Sequence, residues 1–108
     1  EEEPSKCIRQ RVMDARELQL ERYKENEGIH GNAQMPPGNI RKLCSINKAG
    51  RKLLDTAMER LQLSARAYDR ILKVSRTIAD LDKSENIQPQ HLAEAIQYRS
   101  LDREHWGG

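Results

Sequence analysis

The run Leu63–Leu81, LSARAYDRILKVSRTIADL, constrains the fold more than any other part of the chain. Apolar side chains at 67, 71, 74, 78 and 81 recur every three or four residues, and a second set at 68, 72 and 79 widens the stripe. That pattern predicts a helix packed on more than one side. Ser64 precedes the periodic run and is placed to cap it, its hydroxyl accepting a backbone N–H of the first turn. Arg66 then falls in that first turn, where the helix dipole is already positive, and a cation there costs roughly 0.3–1 kcal/mol. Local helix stability gives no reason for this arginine. An anion held near the start of the helix would.

The rest of the chain must supply a partner for that helix. With 108 residues there is room for one domain with a single core. The sequence has no Phe and only one Trp, so the core must be aliphatic, which suits packed helices better than a sandwich. Nineteen basic residues against 17 acidic leave a net charge of only +2, which gives long-range attraction to nucleic acid little support, although a local basic stripe remains open. No apolar run approaches the roughly 20 residues that span a bilayer, and no signal peptide is visible. Cys7 and Cys44 therefore read as reduced thiols of a cytoplasmic protein that does not engage a membrane.

Taken in order, the chain predicts an all-α bundle of four main helices plus one short one. Ser5 to about Asn26 forms a surface helix whose thin apolar seam is Ile8, Val12, Ala15 and Leu18 or Gln19. Arg9, Arg11 and Arg16 lie on its charged side as a solvated face, and all three, Arg9 and Arg11 foremost, are lesser candidates for phosphate or subunit contacts. Gly28–Gly38, GIHGNAQMPPG, is a long connection without periodicity. Asn39–Cys44 makes a short helical turn. Asn47 caps a helix from Lys48 to about Gln62, with Ala49, Leu53, Leu54, Ala57, Met58 and Leu61 facing inward. The joint Gln62–Ser64 is so short that the next helix must be an antiparallel or steeply crossed neighbour. Pro89 opens a last helix to about Leu101, with Leu92, Ala95 and Ile96 inward and Tyr98 covering an edge.

Few residues offer chemistry. Arg66, Arg70 and Lys73 stand at i, i+4 and i+7, so Arg66 can reach a phosphate with Arg70 nearby as an auxiliary. A guanidinium suits that task because its fork of donors matches phosphate oxygens. Arg76 and Asp80 read as an ordinary surface i,i+4 bridge. There is no GxxxxGK[ST] loop to cradle a nucleotide. His30, His91 and His105 have no acid or cysteine at zinc-ligand spacing, so no metal site is expected. Ser64 has no adjacent histidine to act as base and is a cap, not a nucleophile.

LSARAYDRILKVSRTIADL, the following IQPQHLAEAIQYRSLDR and the earlier SKCIRQRVMDAREL together resemble the C-terminal helical domain of magnesium-chelatase-like AAA+ ATPases. Within that family they are most similar to the bacterial competence-protein branch. The resemblance spans residues 5–103, with 1–4 and 104–108 as flexible ends, and three blocks agree in order and spacing. Ser75 departs from it, standing where the family's run carries alanine.

The resemblance implies a helical lid packed on an upstream α/β ATPase core. The S-A-R of this sequence places on Arg66 the sensor-2 role, contact with the γ-phosphate of ATP. ATP and Mg²⁺ would be held mainly by the core, with nothing bound tightly here, so the domain alone is not an enzyme although its parent is an ATPase. Partners implied are that core, neighbouring subunits of a hexameric ring, and DNA through the parent. The chelatase branch instead drives metal insertion into a porphyrin. The alternative reading is a stand-alone nucleic-acid-binding helix-turn-helix domain presenting Arg66, Arg70 and Lys73 to a groove, with steep salt dependence.

Overall fold

Helix α4 (Ala65–Leu81) runs through the middle of the domain and touches α1 (Ser5–Arg22), α2 (Pro37–Leu43), α5 (Pro89–Leu101) and a 3₁₀ turn at Asn32–Gln34. The computed structural model describes residues 5–101, which are all-α with no strand among them. The expected flexible ends, 1–4 and 104–108, and the last two residues of the expected 5–103 domain lie outside the described residues. Burial on α4 follows the two-sided periodicity: Ala67, Ile71, Leu72 and Ala79 are buried. Ile71, Leu72 and Ala79 join Leu54 of α3 (Lys48–Leu61) and Leu92 and Ala95 of α5 in one core, with Tyr23, Met35, Ile40 and Cys44 closing it. Fully burying one such aliphatic side chain contributes about 1.5–3 kcal/mol.

The caps act as their residue types require. The Asn47 side chain accepts a hydrogen bond from the Gly50 N–H at 2.8 Å, and Ser64 Oγ accepts from the Ala67 N–H at 3.2 Å. Gln62 closes α3 in the left-handed region at φ 53, returning its N–H to the Met58 carbonyl. The joint that follows turns the chain so that α3 finds its main packing partner in α5. Gly50 permits that approach, because a Cβ there would lie 2.8 Å from Leu92 Cδ1. Ser75 is fully buried and donates to the Ile71 carbonyl at 2.7 Å. This back-bond satisfies the hydroxyl inside the core.

Several expectations fail. On α1 only Ala15 is buried, while Ile8 and Val12 are 43–44% exposed because the N-terminal part of the seam runs past the core; of the two alternatives for its end, Gln19 is half-buried and accepts the Asn32 N–H, and Leu18 is exposed. Ala49 and Leu61 face solvent, since α3's contact stripe is centred on Gly50 and Leu54. Tyr98 is also exposed. The long Gly28–Gly38 connection is anchored to the core through Asn32 and Met35, both 1% exposed. Ile87, also buried, forms an isolated parallel bridge with Ile46 that ties the entry of α5 to the entry of α3.

Candidate functional site at the start of helix α4

Ser64 has extended backbone, φ −81 and ψ 168, and its capping bond fixes where α4 begins. Arg66 is therefore held in the first turn. It is exposed and makes no ion pair among the described residues. No acid occupies that turn to offset it. Arg70, one turn on, is also exposed and has interactions of its own. The two guanidinium groups can approach an anion placed beyond the helix start, where the dipole adds to their attraction.

Arg9 and Arg11 are not brought to Arg66. Both are exposed on α1, and Arg11 lines a groove with Val74, Thr77, Ile78 and Leu81 of α4 and Tyr98 of α5. At 1.5 Å per residue those α4 positions begin about 12 Å along the helix from Arg66. The arginines therefore occupy two separate regions, and only Arg66 and Arg70 share the start of α4.

What holds α4 in place is a buried polar network that periodicity does not reveal. Asp80, with its side chain fully buried, takes Arg22 through both terminal nitrogens at 2.9 Å. It also accepts from Asn32 Nδ2 at 2.9 Å and from Arg76 Nε at 3.2 Å. Arg76 spends its remaining donors on the carbonyls of Ser84, Glu85 and Leu43, stitching the turn after α4 to the end of α2. Asn32 in turn accepts from the Tyr23 hydroxyl at 2.8 Å and donates to Thr77 Oγ1 at 3.0 Å. Arg76–Asp80 is thus an internal pair and not the surface bridge its spacing suggests. Removing both groups from water is compensated only because nearly every donor has an acceptor. The Asp80 carboxylate raises the Arg22 pKa above its ordinary value, and burial raises that of Tyr23. One sequence signal pointed inward: Arg76 and Asp80 continue the 68–72 row of α4 at four-residue steps.

His91 is buried, 2% exposed, as a structural residue. Its Nδ1 accepts the Gln88 backbone N–H at 2.9 Å, capping α5, and this leaves Nε2 as the donor to Asp82 at 3.1 Å. Burial pushes the Cys44 thiol up to about 11, so it is inert, while Cys7 is exposed. Among the described residues no three histidine, cysteine, aspartate or glutamate side chains are grouped to hold a metal. No described helix is long and apolar enough to cross a membrane.

Comparison with known proteins places this domain. The sequence profile of the family described as "Magnesium chelatase, subunit ChlI C-terminal" matches residues 2–99. The chain belongs to that family. This magnesium-chelatase C-terminal domain is 43% identical over 101 residues to the uncharacterized protein YifB of Escherichia coli, and equally to the competence protein ComM of Haemophilus influenzae. YifB of Salmonella typhimurium is 39% identical over the same length. Each alignment takes in 94% of this chain but 19% of the relative, so the domain spans about a fifth of the proteins it matches.

Proposed function

We propose that this magnesium-chelatase C-terminal domain is the helical lid of a AAA+ ATPase, and that Arg66 reaches the γ-phosphate of ATP bound by the rest of the parent protein. One observation carries the reading: an arginine that the Ser64 cap places in the first turn of the best-buried helix, exposed and without an ion pair among the described residues. Such a placement opposes the helix dipole and gains nothing locally, but an anion docked at that end would make both the charge and the dipole favourable. Charge on the phosphoryl oxygens must be stabilised during transfer, and a pre-positioned arginine supplies that. The contact exists only while the γ-phosphate is present, so it favours a closed lid before hydrolysis and none after. Arg70 serves as an auxiliary at the same end. ATP and Mg²⁺ belong mainly to the core.

In a ring of such subunits, six by the family resemblance, the lid's swing would move a substrate. The competence-protein name of the Haemophilus relative supports DNA over a porphyrin metal as that substrate, and a cytoplasmic setting suits either. Arg66→Ala in the parent protein tests the assignment. Hydrolysis should fall roughly 100-fold, the order expected on losing one charge-stabilising donor, with unchanged circular dichroism. Normal turnover in that variant removes the sensor role.

A further inference from the structure

A cleft of about 630 Å³ opens between the end of α2, the start of α3 and the first half of α4, lined by Arg41, Ser45, Ile46, Arg51, Tyr68 and Asp69. The small net charge conceals how unevenly charge is spread around it. From Asn39 to Leu54 there are five basic residues, at 41, 42, 48, 51 and 52, and no acid. The second half of α1 and the turn after it carry five acids, at 14, 17, 21, 25 and 27. Of the bases interspersed there, Arg22 is committed to Asp80. On that acidic side Leu18 and Leu20 are 43% and 50% exposed next to Glu17 and Glu21.

We propose that the α1 face carrying Glu17, Leu18, Leu20 and Glu21 docks into the Arg41/Arg51 cleft of a second copy of this chain. Arg41 and Glu17 have no ion-pair partner among the described residues. Glu21 and Arg51 are held only by exposed pairs, with Lys24 at 2.6 Å and Asp55 at 3.8 Å, which exchange at little cost. The half-buried Ile46 and buried Leu72 offer an apolar floor to a leucine. That apolar floor suits an acidic–apolar protein surface better than a phosphate backbone. The two faces lie on different elements, so the contact is heterologous and each copy retains one unused face. Such contacts build a ring if the rotation closes and a filament if it does not. In the ring of the preceding section it joins neighbouring lids, and to that extent rests on that reading. It involves neither ATP nor Arg66, so the two ideas fail separately.

Sedimentation velocity of the chain without nucleotide, from about 10 μM to about 1 mM, tests this. Association should be present at low salt and at least about tenfold weaker at high salt. Arg41→Glu/Arg51→Glu and Glu17→Lys/Glu21→Lys should each be monomeric alone. An equimolar mixture of the two should associate again, because each reversed surface meets the opposite charge on the other; this recovery also excludes misfolding as the cause. No association of the unaltered chain, association surviving either reversal, or a mixture that stays monomeric overturns the proposal. A non-associating chain that binds a fluorescent oligonucleotide, and loses it in Arg41→Glu/Arg51→Glu, assigns the cleft to nucleic acid instead.

Discussion

Asp80→Asn removes a charge and almost no volume, so it isolates what the buried network contributes. In the structure the carboxylate meets Arg22 twice at 2.9 Å, Asn32 at 2.9 Å and Arg76 at 3.2 Å. An amide keeps one acceptor oxygen and turns an NH₂ group toward these donors. The Arg22 and Arg76 side chains, 15% and 7% exposed, are then left without a counter-charge. Breaking a buried pair by removing one partner costs about 3–5 kcal/mol. The whole domain has roughly 5–15 kcal/mol of stability, so the melting temperature should fall by on the order of 15 °C. Urea unfolding followed by far-UV circular dichroism measures it. Arg22→Leu should cost at least about 1 kcal/mol less in the Asp80→Asn background than in the unaltered chain, because its partner is already gone. Asp55→Asn breaks an exposed pair at 3.8 Å and should cost under about 1 kcal/mol. A loss below about 1 kcal/mol for Asp80→Asn would show that the network is not what holds α1 and the 28–38 connection to α4.

Three further outcomes follow from local geometry. Between pH 9 and 11 the folded chain keeps a proton on Cys44 that the unfolded chain has released, so stability is complete below about 9 and falls by up to about 3 kcal/mol as pH rises through that window. Cys44→Ala should flatten the slope in denaturant titrations across that range, though not abolish it, because the Tyr23 pKa is raised as well. Gly50→Ala places a Cβ 2.8 Å from Leu92 Cδ1, so overpacking of about 1–3 kcal/mol should cancel or exceed the roughly 1 kcal/mol gain in helix propensity. A clear stabilisation in thermal melts would mean that α5 yields easily. Ser64→Ala should cost about 1 kcal/mol through the lost cap and fray the turn that carries Arg66, visible as faster amide exchange at the start of α4.

The helices were legible wherever periodicity and capping spoke together. Residues 65–81 and the Pro89 start are found as read, and Asn47 and Ser64 cap the helices they precede. What escaped was set by partners far away in sequence. Arg22 and Asp80 are 58 residues apart and Asn32 and Asp80 are 48 apart, so no local window connects them. An i,i+4 pair looks the same whether water or a neighbouring helix covers it, which is why Arg76–Asp80 read as a surface bridge. The same limit applies to α1. A 3.6-residue repeat shows which side is apolar but not how far along the helix its cover extends, and Ile8 and Val12 run past that cover. At the candidate site, the sequence was enough to place Arg66 in the first turn of a Ser64-capped helix, where the structure has it. The distance between it and Arg11 was not readable without knowing where α1 crosses α4.

The γ-phosphate assignment is most directly tested by a structure of the full-length parent with a non-hydrolysable ATP analogue and Mg²⁺. An Arg66 guanidinium nitrogen should lie about 2.7–3.0 Å from a γ-phosphate oxygen, the length of a charge-assisted hydrogen bond. Occupied nucleotide sites with that guanidinium turned to solvent, or paired with a carboxylate elsewhere in the protein, would contradict it.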